Sequence, residues 1–349
     1  MAGRVFVRGL EGEKYNLKAE RQARLRAGHV VPAERRKWRD EKTPGHEDSS
    51  PTSRAKYLLA PGDDPFLTQS ILCHFVEIAP GGANGGHGHQ NEAAFYILEG
   101  RGYEIHDAQR YDWQAGDLVI VHTDCRHQHF NASQTERALA LVVKAKAQFL
   151  FLGLTQQGRD TTIPDGEEDR FGPREDWTGL WTPGGETKRK VVAGRDEPWH
   201  PTRDGTVKWL ANGEMDVRIN SVDVWLQQIA QDGRTARHWH MADELYFVVE
   251  GSGYSLEWQV EADIDDRYYA RVAKEPRRHT WQKNDLVYVP QNTVHQHFAT
   301  GDGPVLLLGS QNRLYKHLGY DAVRYLEHAP EWDEAQASER QPAVMAGRR

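Results

Sequence analysis

The feature that most constrains this chain is an internal duplication built around histidine. HGHQNEAAFYILEGRGY, from His87 to Tyr103, aligns without a gap on HWHMADELYFVVEGSGY, from His238 to Tyr254. Downstream, GDLVIVHTDCRHQHF ending at Phe130 aligns on NDLVYVPQNTVHQHF ending at Phe298. The offset is 151 residues for the first pair and 168 for the second, so 17 extra residues fall between them in the second copy. They lie in EADIDDRYYARVAKEPRRHT, which reads as an inserted polar loop. A repeat unit of about 110 residues is a duplicated domain, not a short-period solenoid.

Each copy is made of short runs such as FYIL, LVIV, YFVV and LVYV, punctuated by Gly, Asp and Asn. Strand and turn chemistry at that spacing predicts an all-β fold with two tandem antiparallel barrels. One helix is expected, Leu17 to Ala27, with Asn16 as N-cap and Gly28 past its end. The chain then divides into a basic arm (1–55), barrel one (56–160), a Gly-, Pro- and charge-rich linker (161–205), barrel two (206–320) and a tail (321–349).

In a strand, residues i and i+2 face the same way. His87 and His89 therefore project together, as do His238 and His240, and His127 and His295 supply a third imidazole from another strand. Two such arrays in register across a repeat point to two facial metal sites. Glu244 is positioned to add a carboxylate in the second copy; Ala93 occupies that place in the first. Glu92 is one residue early and faces away unless a bulge turns it inward. His129 and His297 share the inward face with their neighbours, so both are candidates to donate to a bound oxyanion. Phe95, Tyr96, Trp113, Phe130 and Tyr246 are candidates to line a flat substrate pocket. His106, His122, His279 and His317 match no ligand position and read as surface residues or outer neighbours of the sites. Cys125 reads as a small buried apolar residue.

These motifs resemble those of the cupin superfamily, G-x5-HxH-x3-E-x6-G followed by a downstream histidine. Gly81, His87, His89 and Gly100 carry them in copy one and His238, His240, Glu244 and Gly251 in copy two. The resemblance implies a bicupin of two double-stranded β-helix (jelly-roll) barrels, over about residues 56–160 and 206–320. The three-histidine set of copy one resembles the ring-cleaving gentisate and 1-hydroxy-2-naphthoate dioxygenases. It implies a non-haem Fe(II) enzyme using O2 on a small hydroxylated aromatic substrate, with barrel one as the working site. That family carries an arginine six residues after the second histidine; here Phe95 and Tyr246 stand there. The complete His3Glu set of copy two favours a rival, a non-redox isomerase, lyase or decarboxylase using Mn, Ni or Zn. Cu is a further metal alternative, and a non-enzymatic small-molecule-binding bicupin is a third reading.

Composition limits partners. Lys and Arg total 44 against 51 Asp and Glu, a net charge of −7, which argues against nucleic acid. Residues 1–42 hold twelve basic against six acidic side chains, an arm suited to pack on an acidic body or on a partner subunit, and a homo-oligomer is expected. No apolar run reaches the about 18 residues of a membrane span, and no secretory signal is legible. The two cysteines, Cys73 and Cys125, are expected as free thiols of a cytoplasmic protein.

Overall fold

The computed structural model describes residues 22–23, 25–35, 37–41, 52–60, 70–154, 157–158 and 166–332. Strands dominate. The expected helix over 17–27 falls mostly outside the described residues, and the expected tail lies largely outside them too. No helix among the described residues is long and apolar enough to cross a membrane.

Each copy folds into two facing antiparallel sheets. In copy one, one sheet runs in the order Val191–Val192, Leu118–Val121, Ala93–Glu99, Ala138–Lys144, Leu72–Ile78, Ser53–Leu59, Arg39–Asp40. Its partner holds Gln157–Gly158, His87–His89, Cys125–Asn131, Arg101–His106 and Gln109–Gln114. Copy two repeats the plan, with Val30–Val31, Leu286–Val289, Glu244–Glu250, Val305–Asn312, Val222–Ile229, Gly205–Ala211 and His200–Thr202 in one sheet. The histidine-bearing strands Arg237–His240 and Thr293–Thr300 lie in the other.

The unalternating runs FYIL and LVIV have a physical reason: their sheet is buried on both faces, as near-continuous apolar strands require. Phe95 and Ile97 pack inside barrel one, whereas Ala94 and Tyr96 point the other way, into a core shared with barrel two. There Phe75 meets Phe247 edge-on, ring centroids 5.5 Å apart. Burying this second face joins the two barrels into one hydrophobic body.

The barrels also exchange strands. Val30 and Val31, which precede barrel one, pair with Val287 and Leu286 of barrel two. Val191 and Val192, which precede barrel two, pair with Val119 and Leu118 of barrel one. Polar clamps follow the same pseudo-symmetry. The Glu92 carboxylate accepts the backbone N–H groups of Asn220 and Ser221, and its counterpart Asp243 accepts the Ser70 hydroxyl.

One expectation is corrected here. The insertion in copy two is a β-hairpin: Ser252–Ile264 is a 13-residue strand whose far end pairs with Tyr268–Val272, turning at Asp265 and Asp266. The linker lies against barrel one, where Trp177, Trp181 and Glu186 wall a cavity of about 370 Å³ with His106 and His122.

Candidate metal centres

In barrel two, His238 stands opposite His295 in the strand ladder, two residues from His240, while Glu244 opens the next strand. One ligand atom from each of His238, His240, Glu244 and His295 lies within 4.8 Å of the others, and all four side chains are buried. His240 Nε2 is 3.0 Å and His295 Nε2 3.2 Å from the carboxylate of Glu244. Backbone carbonyls fix the rings from behind: His240 Nδ1 bonds Ala242 O at 3.0 Å and His295 Nδ1 bonds Thr293 O at 3.0 Å. That leaves Nε2 turned toward the cluster, the outer-shell arrangement that orients metal-ligating histidines. His238 Nδ1 faces Asp204 at 3.4 Å.

The electrostatics suit a cation. Burial pushes the Glu244 carboxyl up, but the imidazoles of His240 and His295 outweigh it and hold it well below its ordinary range. Burial, with the neighbouring imidazoles, holds His238 far below the usual histidine value, so it is a neutral donor. Gln311 Nε2 donates to Glu244 Oε1 at 2.9 Å and the Tyr246 hydroxyl donates to Oε2 at 2.8 Å. Burial pushes Asp204 up to about 6; its Oδ2 accepts the Tyr325 hydroxyl at 2.9 Å. These groups border a cavity of about 220 Å³, walled by Trp209 and Trp225 and edged by Lys316. Trp225 lies against Gly309, where an added Cβ would come within 2.3 Å of the indole.

In barrel one, His127 stands opposite His87, and His87, His89 and His127 form a second cluster within 4.8 Å. His87 Nδ1 bonds Gly85 O at 2.8 Å and His127 Nδ1 bonds Cys125 O at 3.2 Å, again leaving Nε2 toward the centre. Burial, with Lys144 next in effect, pulls His89 down to about 3. Both donor sets fit a divalent transition metal: clustered imidazoles, of which burial keeps His89, His127 and His238 neutral, joined in barrel two by the Glu244 carboxylate, which holds His295 above its ordinary value.

The remaining candidates divide. His129 and His297 face inward; His129 Nδ1 is 3.1 Å from Glu104 Oε2, and His297 Nδ1 is 2.7 Å from the Ser255 hydroxyl. Phe95 and Tyr246 pack on them, each with ring centroids 4.4 Å apart. Trp113 lies in the core of barrel one. Two residues do not reach a site. Tyr96 is in the shared inter-barrel core because it alternates with inward-facing Phe95. Phe130 alternates with His129 and stacks outside on Tyr103, centroids 4.8 Å apart. Glu92 does not turn inward, since Asn220 and Ser221 hold its carboxylate. Of the two readings of His106 and His122, the outer-neighbour one holds: both are buried, the His106 ring lies 6.0 Å from that of His127, and its Nε2 is 2.9 Å from Glu104. Cys73 and Cys125 are free and buried. Sequence reading missed Asp204, Gln311, Glu104 and Lys144.

The geometry agrees with comparison to known proteins. Residues 74–144 match the cupin domain family and residues 199–322 the auxin binding protein family. Auxin-binding protein T85 of Nicotiana tabacum is 26% identical over 84 residues, 24% of this chain and 41% of that protein, so the match spans less than half of its length. Among solved structures, oxalate decarboxylase of Bacillus subtilis, studied for its Mn(II) centres, superposes with a TM-score of 0.57 at 14% identity, covering 86% of this chain and 80% of that one. A deletion variant of the same enzyme gives 0.57 at 15% identity with the same coverage. Resemblance to the gentisate enzymes is not supported by these comparisons. The chain folds as a bicupin, two cupin barrels in tandem, each with an inward-facing histidine cluster.

Proposed function

We propose that this bicupin is a metal-dependent, non-redox enzyme of the lyase type, acting on a small carboxylic acid in barrel two. The observation that carries the reading is the His238, His240, Glu244, His295 set opening on a cavity of about 220 Å³. That volume lies below the usual range for drug-sized ligands, which suits a substrate of a few heavy atoms. Mn, with Fe(II), Ni, Zn or Cu as alternatives, would be held by those four residues and would act there as a Lewis acid on substrate oxygen. The protein's share is positioning: Gln311 and Tyr246 keep Glu244 turned to the cluster, and Asp204 Oδ1 stands 3.4 Å from Nδ1 of His238. Cleaving the C–C bond beside a carboxylate releases CO2, and the electron pair left on carbon takes up a proton. Asp204, in the cavity wall with Tyr325 bonded to it, is placed to carry that proton.

An oxygen-dependent reading keeps one supporting observation, the carboxylate-free His87, His89, His127 set of barrel one. It would make O2 a co-substrate and Fe(II) the metal. An oxygen electrode run beside CO2 detection, with the Mn-loaded protein and small carboxylic acids including oxalate, separates the two. CO2 formed without stoichiometric O2 uptake supports the lyase reading; one O2 consumed per product refutes it.

A further inference from the structure

The two barrels differ at one corner of their clusters in a coordinated way. In barrel two Glu244 pairs with Gln311 across the ladder, and Tyr246 and Trp225 stand beside them. The equivalent ladder in barrel one pairs Ala94 with Val143 and Phe95 with Val142, so one step on Lys144 stands opposite Ala93. His74, paired with Val142, takes the place of Trp225, which is paired with Gly309. Four exchanges thus coincide: Glu244 to Ala93, Gln311 to Lys144, Tyr246 to Phe95 and Trp225 to His74. They remove the acceptor and leave one cation, Lys144, beside the neutral His74, turning a −1 corner into a +1 corner.

Hydrogen bonding records the same change. In barrel two the corner is self-satisfied, because Gln311 and Tyr246 both donate to Glu244. In barrel one His74 Nδ1 is buried without a hydrogen-bond partner, and no hydrogen bond or ion pair to the half-buried Lys144 is found among the described residues. His74 is only 4% exposed. Lys144 follows Ala140 and Val142 on the face that packs inside barrel one, so its side chain is directed into the barrel and not into the shared core. Buried donors left unsatisfied are costly and call for an acceptor.

We infer that barrel one takes a small carboxylate as its ligand, held between the His87, His89, His127 cluster and the Lys144 ammonium. The ligand supplies from outside the carboxylate that Glu244 supplies from the chain in barrel two. One oxygen faces the cluster; the other accepts from Lys144, a charge-assisted contact stronger than a neutral one. Burial pulls the Lys144 ammonium down to about 8, so it is charged at neutral pH. The inference rests on the reading that the histidine clusters hold metal.

The test is calorimetric titration of acetate and of oxalate at pH 7 into the full-length Zn-loaded His240→Ala protein, in which the barrel-two cluster is broken so that barrel one alone is read, with metal content measured on the same samples. That background is expected to bind one carboxylate per chain, at barrel one, and the variants below are made in it. Lys144→Met should weaken binding tenfold or more with metal content unchanged, and Lys144→Arg should stay within about threefold of the background. Should Lys144→Met unfold, Ala93→Glu provides the second test: a built-in carboxylate should fill the corner and abolish binding. Equal affinity in Lys144→Met, or undiminished binding in Ala93→Glu, overturns the inference. A metal-loaded background that binds no carboxylate also overturns it while leaving the metal reading intact. A chain that takes up no metal refutes the reading beneath it.

Discussion

Glu92 is 2% exposed and ties barrel one to barrel two, so Glu92→Ala should cost stability without touching either histidine cluster. Its carboxylate accepts from Asn220 N at 2.9 Å, Asn220 Nδ2 at 3.1 Å and Ser221 N at 2.8 Å. Hydrogen bonds to a charged group contribute about 1.5–3 kcal/mol each, but these share one acceptor and do not add. Asn220 is exposed and its donors return to water; Ser221 is fully buried, so its N–H is left unsatisfied. The net loss is about 2–4 kcal/mol, dominated by Ser221. With an unfolding entropy of about 2.1 cal/mol/K per residue over a chain of this length, Tm should fall by about 3–5 °C. Glu92→Gln keeps one acceptor and should lose less than half as much. Differential scanning calorimetry reads the shift, and metal analysis is the control. An unchanged Tm would refute the clamp; a fall in bound metal would make Glu92 a ligand after all.

Three further outcomes follow from the same geometry. Asp204→Asn loosens the ring of His238 and should weaken metal binding in barrel two by about 10–100-fold, read by competition with a chromogenic chelator; unchanged affinity would remove Asp204 from the site. His29→Ala strips Glu257 of a buried partner 2.6 Å away and should cost about 3–5 kcal/mol, read by denaturant unfolding, with an unaltered midpoint as the contrary result. Dialysis against a chelator should lower Tm and added metal restore it, because free metal at a hundred times its Kd stabilises by about 2.7 kcal/mol; a Tm indifferent to both treatments would mean that neither cluster binds metal in the folded state.

The fold was legible because the repeat was: two HxH motifs in register, each followed by a third histidine, specify one barrel mouth twice. The inward pairing of His129 and His297 with their neighbours followed from strand alternation alone. Alternation also explains the misses. Tyr96 and Phe130 are each one residue from an inward-facing partner, Phe95 and His129, and a one-residue step changes the face. The apolar runs concealed this because one sheet of each barrel is buried on both sides. The Lys144 and Gln311 equivalence was hidden by a change of repeat offset from 168 to 167 in the last strand, where Leu139 aligns with Leu306 through their pairing to Glu99 and Glu250. Asp204 and Glu104 carry no motif; only the packed barrel brings them to a histidine. His106 looked peripheral because its partner Glu104 became visible only as a buried carboxylate.

The central claim is that the four-residue set of barrel two is a metal centre. Anomalous diffraction from crystals of the protein purified without chelator, recorded across the absorption edges of Mn, Fe, Ni, Cu and Zn, tests it most directly. The account predicts an anomalous peak for one of these metals at the convergence of His238, His240, Glu244 and His295, lost in His240→Ala while the fold persists. A metal-replete crystal with no peak at that position, or a peak unaffected by His240→Ala, would contradict it.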